Sequence, residues 1–152
     1  MSETLKGTIW LLSDPQIVDR MVKKIISNRF SDYIGLRYTS IGLGVVEAML
    51  PMQDNLRQQN DFLHGGVTAT LCDIVAGFAA YTLLPITEQV VTAEIKVSYY
   101  HPAIGDIFYA KGWVEKPGKK LHFCESEVYT LNDGVLKVIA KATASMIVIR
   151  QA

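Results

Sequence analysis

Leu63-His64-Gly65-Gly66-Val67-Thr68-Ala69-Thr70-Leu71-Cys72-Asp73 opens the stretch on which the fold turns. A double glycine leads into an apolar run that continues to Leu84, and a single carboxylate, Asp73, stands in its middle. Val67, Ala69, Leu71, Ile74, Val75, Ala76, Phe78, Ala79 and Ala80 leave almost no polar face. The spacing predicts a helix over 66–84 that is buried on nearly all sides. At ~1.5 Å per residue it would span roughly 28 Å, about the width of a small domain. An ionised carboxylate inside such a helix is costly without partners, water or a ligand. Asp73 is therefore the first candidate for chemistry.

Working outward, Ser13-Asp14-Pro15 is a helix start, a capping side chain followed by proline in the first turn. Ile17, Val18, Met21, Val22, Ile25 and Ile26 then recur at helical spacing, with Asp19, Arg20, Lys23 and Lys24 opposite. This predicts an amphipathic helix over 14–28, laid on the outside of the domain. Ser31 to Gly35 reads as a connector, and Leu36 to Met49 as one strand bent or bulged at Gly42 and Gly44. Pro51 to Phe62 is a polar loop that runs into His64, and such loops are where sites tend to be built. Beyond Pro85, Gln89 to Tyr100 alternates Val91, Ala93, Ile95, Val97 and Tyr99 with Thr92, Glu94, Lys96, Ser98 and Tyr100. Three further strand-like runs, Ile107–Glu115, Lys120–Leu131 and Leu136–Arg150, are joined by Lys116-Pro117-Gly118-Lys119 and Asn132-Asp133-Gly134, both good hairpin signals. The class is α+β, one long helix against an antiparallel sheet. A helix apolar all round needs cover on every side, which asks for a strongly curved sheet.

The length of 152 residues suits a single domain over 1–152. A hydrophobic content of 49% with 20% charged residues is that of a globular protein. Fifteen basic residues balance fifteen acidic ones, so bulk electrostatics recruits neither nucleic acid nor a membrane surface. Cys72 and Cys124, the only cysteines, lack metal-type spacing and read as reduced core residues. Met1 to Trp10 lacks the pattern of a signal peptide, and no apolar run is long enough to span a bilayer. The expected location is cytoplasmic.

Three ordered motifs carry a resemblance. His64-Gly65-Gly66, with an acid nine positions after the histidine, resembles the hotdog-fold acyl-CoA thioesterases of the PaaI-like group, related to the 4-hydroxybenzoyl-CoA thioesterases. Val90 to Ala103 resembles that family's strand ending in a Pro-Ala turn, and Lys116-Pro117-Gly118-Lys119-Lys120-Leu121 its next hairpin. The likeness covers roughly Leu36 to Ile149. It implies the hotdog fold, a curved antiparallel sheet wrapped around one long central helix, here with an extra N-terminal helix. It also implies self-association into dimers or tetramers with sites between subunits, and an acyl-CoA substrate. No separate cofactor or metal is implied, coenzyme A being part of the substrate.

Thioester hydrolysis needs a base or carboxylate nucleophile and donors for the oxyanion that forms on the carbonyl. By resemblance Asp73 is the base or nucleophile and the Gly65 N–H the oxyanion donor. A helix N-terminus offers free N–H groups and partial positive charge, and glycine lets a carbonyl approach closely. Thr92 falls where relatives carry a hydroxyl that holds the attacking water. Many relatives place an asparagine six residues before the histidine; here that position is Gln58, with Asn60 two residues on as the other amide able to polarise the thioester. His64 is expected to orient the loop or line the pocket, the alternative being a base that Asp73 orients, and Gly66 is expected to line the pocket. Tyr99, Pro102, Gly118 and Lys119 are expected along the coenzyme A portion, Lys119 as a phosphate partner. Phe78, Tyr81, Phe62 and Met49 are equally readable as acyl-pocket wall or as core. The competing class is a non-catalytic acyl-CoA-binding hotdog protein, a sensor or carrier; a hotdog dehydratase would need a catalytic histidine arrangement that this chain lacks.

Overall fold

A computed structural model describes residues 2–150. Seven strands form one sheet: β1 (Ile9–Trp10), β2 (Arg37–Gly42), β3 (Val45–Pro51), β4 (Glu88–Tyr99), β5 (Ile107–Lys116), β6 (Leu121–Asn132) and β7 (Val135–Arg150). Their order is β1-β2-β3-β5-β6-β7-β4. All neighbours are antiparallel except β1, which lies parallel to β2. Three α-helices accompany it: α1 (Pro15–Ile26), α2 (Arg29–Tyr33) and α3 (Gly65–Tyr81). The sheet curls around α3, which touches β3, β4, β5, β6 and β7.

Strand alternation builds the inner face. Val46, Ala48 and Leu50 of β3, Phe108 and Ala110 of β5, and Ala142, Ala144 and Met146 of β7 are buried, while the residues between them are more exposed; Ile139 and Ala140, next to each other in β7, are both buried. Below the helix the lining is small, and the helix answers with Cys72, Ala76, Ala79 and Ala80, all buried. Small against small lets the two layers approach. The closest approach is at Gly112, where a Cβ would come within 2.4 Å of the Val75 carbonyl carbon.

The helix differs from its expected form in two respects. It ends at Tyr81 instead of Leu84, because Thr82 pins the turn: its hydroxyl donates to the Ala79 carbonyl and accepts from the Gly44 N–H, both at 2.7 Å. It is also not buried on nearly all sides. Gly66, Ala69, Thr70, Asp73, Ile74 and Gly77 form a partly open stripe, because a single curved sheet covers only part of the cylinder.

Other corrections are local. Leu36–Met49 is a hairpin, β2 and β3, with the turn at Leu43-Gly44 (Gly44 φ +71°), so the glycines reverse the chain instead of bending it. The Ser31–Gly35 connector is mostly the short helix α2, capped by the Asn28 side chain, which accepts from the Ser31 N–H at 3.2 Å. The covering helix α1 starts as expected, with Asp14 accepting from the Gln16 N–H at 2.8 Å. It is clamped to the far end of α3: Arg20 donates to the Leu84 carbonyl at 2.6 Å and the Tyr81 carbonyl at 3.1 Å, its guanidinium 4.7 Å above the Tyr81 ring. The last carbonyls of a helix lack internal partners, and a cation there also meets the negative end of the dipole.

Candidate active site

The residues singled out in the sequence fall into three separate places on one chain. The first is a pocket of about 190 Å³ beside α3, where Asp73 meets Thr92 of β4. The Thr92 hydroxyl donates to Asp73 Oδ1 at 2.7 Å. Simple alternation would not aim Thr92 there, since it groups Thr92 with Glu94 and Lys96, away from Ile95 and Val97. The pairing of β4 with β7 slips between Thr92 and Glu94, leaving Ala93 as a bulge. Val90 therefore faces inward upstream of the bulge, Ile95 and Val97 downstream, and Thr92 shares the inner face with Val90. Asp73 itself is half-buried, on the open stripe of α3. Phe78 and Tyr81 help wall this pocket, whereas Met49 lies on the outer face of β3 across from Tyr109.

The second place is the N-terminus of α3. His64 is its N-cap, and its Nδ1 accepts from the Gly66 N–H at 2.9 Å. That bond commits Nδ1 and makes His64 a loop-orienting residue. It also explains Gly66, because a Cβ there would sit 3.1 Å from that nitrogen. The Gly65 N–H has no partner among the described residues, while the Tyr99 hydroxyl donates to the Gly65 carbonyl at 2.9 Å. A groove of about 360 Å³ here is lined by Gly65, Gln58, Phe62, Tyr99 and Pro102. Gln58 is held by a tight loop: its N–H donates to the Phe62 carbonyl at 2.8 Å and its Oε1 accepts from the Asn60 N–H at 2.7 Å. The Gln58 amide NH2 is left to donate into the groove. Asn60 is exposed and lies outside it.

The third place is a cavity of about 750 Å³ at the C-terminal end of α3, where Gly118 and Lys119 join Lys120, Arg150 and Glu88. Sequence reasoning missed its most unusual lining residue. His122 is 4% exposed, and neither ring nitrogen has a partner among the described residues. Burial holds its pKa below the usual histidine range, with the Glu88 charge pulling weakly the other way. Lys24 and Asn28, which line the Asp73 pocket, were also missed, hidden in what reads as a packing helix. Cys72 is no nucleophile: burial, above all, pushes its thiol up to about 11.

Asp73 and Gly65 lie eight residues apart on one helix, about 12 Å along its axis. They open into different depressions of the chain. No described helix is long and apolar enough to cross a membrane.

Comparison with known proteins bears on the chemistry. A family model described as "Thioesterase superfamily" matches residues 60–137. A thioesterase family protein from Silicibacter pomeroyi superposes with a TM-score of 0.86 at 30% identity, over 89% of this chain and 99% of that one. The proofreading thioesterase EntH of Cronobacter turicensis is 30% identical over 69 residues, 45% of this chain and 50% of EntH. The BH2602 protein of Bacillus halodurans, solved with CoA, has a TM-score of 0.72 at 24% identity, over 90% of this chain and 93% of that one.

Proposed function

The chain belongs to the thioesterase superfamily and is a thioester hydrolase, and from that premise we propose that it cleaves an acyl- or aryl-coenzyme A to the free acid and CoA, with Asp73 as the base. The observation that carries this reading is the 2.7 Å bond from Thr92 to Asp73 Oδ1, at the mouth of a pocket. It fixes a half-buried carboxylate by one oxygen and leaves Oδ2 to take a proton from water. The Thr92 oxygen still has lone pairs with which to accept from that same water.

The oxyanion donors come from a second copy of the chain. β4 pairs only with β7, so its other edge is unpaired among the described residues and carries Val91, 47% exposed. A long bare edge of this kind invites another strand. Two copies related by a two-fold axis that lies beside the free edge of β4, level with its middle, run their strands antiparallel. Gly65 is bonded to Tyr99 at one end of β4, and Asp73 to Thr92 nearer the other. The symmetry therefore carries the Gly65 groove of one copy toward the Asp73 pocket of its partner, and this happens twice.

In the joined site the Asp73 carboxylate removes a proton from water, and the hydroxide adds to the thioester carbonyl. Charge that develops on the carbonyl oxygen is met by the Gly65 N–H and the Gln58 amide of the other copy. Collapse breaks the C–S bond, and the departing thiolate recovers a proton from Asp73. The cationic cavity of Lys119, Lys120 and Arg150, with Gly118 at its edge, is suited to the phosphates of CoA. The same fold holds CoA in the BH2602 protein. The His64-Gly65-Gly66 motif with its downstream acid favours the PaaI-like group.

The test is thiol release from a panel of acyl-CoAs. Asp73→Asn should lower kcat by about 10³-fold or more without altering the far-UV spectrum, as removing a reacting group does. No release from any acyl-CoA, together with tight binding, would give the case to a sensor or carrier. A single turnover in H2-18O detects a nucleophilic Asp73 opened at its own carbonyl: label on the aspartate marks such an acyl-Asp73 intermediate, whereas a base leaves the label in the released acid alone.

A further inference from the structure

The pocket beside Asp73 has two chemically different ends. Asp73 and Thr92 stand at one. At the other, two turns further along α3, Tyr81 is met by Lys24 from α1, and Asn28, which follows α1, also lines the pocket. Lys24 Nζ lies 5.6 Å from the Tyr81 ring centroid and donates to Gln89 Oε1 at 2.5 Å. It has no carboxylate partner among the described residues, although its neighbour Lys23 is paired with Asp19 at 2.7 Å. The Asn28 oxygen is used in capping α2, so its NH2 group is free to donate. Between the two ends the wall is apolar, Ile74, Phe78 and Val90.

Gly77 lies in the middle of that wall. Glycine weakens a helix relative to alanine, and here packing does not require it: a Cβ would meet nothing nearer than Met146 Cε at 4.0 Å. What a side chain at Gly77 would take is pocket volume. A glycine where alanine would fit leaves that volume open to an occupant.

We infer that the pocket receives an acyl chain of about six to eight carbons that ends in a carboxylate, bound by Lys24 and Asn28. The inference rests on the acyl-CoA reading above and adds the substrate class. The size follows from the volume: an apolar cavity of about 150 Å³ takes a benzene-sized molecule, and this pocket has about 190 Å³. The charge follows from a cation and an amide donor that lack an anionic partner at the end remote from the chemistry. That end is exposed, so the carboxylate keeps part of its hydration while it gains the ion pair.

The pair to compare is adipoyl-CoA and hexanoyl-CoA, which share six carbons and differ in the terminal carboxylate. Wild-type protein should show kcat/KM about fivefold or more higher for adipoyl-CoA, seated in KM, the scale of a partly exposed ion pair. Non-hydrolysable thioether analogues of the two should rank the same way in Kd. Lys24→Met and Asn28→Leu should each shrink the ratio, and Lys24→Glu should invert it. Equal treatment of the pair by wild type, or a preference that survives Lys24→Met unchanged, overturns the inference. Failure of the adipoyl thioether to bind also overturns it. Thioethers that bind with the expected ranking while neither thioester is cleaved support the inference and count against acyl-CoA hydrolysis instead.

Discussion

At the scale of single residues, the free Gly65 N–H offers a clean experiment. Gly65 is the first residue of α3, where proline is tolerated, and His64 before it has φ −60° and ψ 135°, the region that a following proline favours. Gly65→Pro should therefore keep the helix yet delete the donor. The expected loss in kcat is about 10²–10³-fold, as for one oxyanion donor. Gly65→Ala, whose Cβ would make an ordinary 3.6 Å contact with the Tyr99 ring, should lose far less. Similar losses in the two variants would remove the Gly65 N–H from the mechanism. His122 predicts a pH effect of known sign. Its pKa is depressed by burial, so between that value and the ordinary one the unfolded chain binds more protons than the folded chain. Stability should fall as pH drops below about 6.5. Tm measured from pH 7 down to 5 should decline, and His122→Leu should flatten the decline.

At the scale of elements, two glycines that look alike in the sequence do opposite things. Gly112 of β5 is required by packing, since its Cβ would overlap the backbone of α3 at 2.4 Å. Gly112→Ala should destabilise by about 1–3 kcal/mol or more, as overpacking does. Gly77 of α3 has room, so Gly77→Ala should gain up to about 1 kcal/mol of helix stability while it narrows the pocket. Thermal melts of the two variants should move in opposite directions, with acyl-CoA turnover falling in the more stable one. The bulge at Ala93 belongs to this scale too. It shifts the alternation of the upstream part of β4 as a block, turning Val90 and Thr92 to the inner face that Ile95 and Val97 share downstream.

At the scale of the whole molecule, the proposed site belongs to two chains, and a mixing experiment can detect that directly. Asp73→Asn and Gly65→Pro each damage a different half of every site. A heterodimer of the two holds one site with both halves intact and one with neither. Equal mixing after dissociation and reassociation should restore about a quarter of wild-type activity, since half the dimers are mixed and each has one good site. Sites confined to single chains would restore none. The exposed edge of β4 makes the same point structurally, because twelve residues of strand end the sheet with β7 as their one neighbour among the described residues.

The long apolar run, its flanking glycines and the hairpin signals already specified a central helix, an antiparallel sheet and a covering helix. Periodicity and turn chemistry are local properties that a linear chain carries in full. Asp73 was conspicuous for the same reason, as a charge in an apolar run. The strand read over Leu36–Met49 hid a hairpin, because glycines permit a bulge and a turn alike until a partner strand selects one. Thr92 could be aimed at Asp73 only by a register slip against β7, which alternation along one strand does not encode. Lys24, Asn28 and Gly77 became site residues only once α1 was clamped across the end of α3. Sequence determined which residues could do chemistry; tertiary structure decided which of them meet, because pairing and packing set distances between residues far apart along the chain.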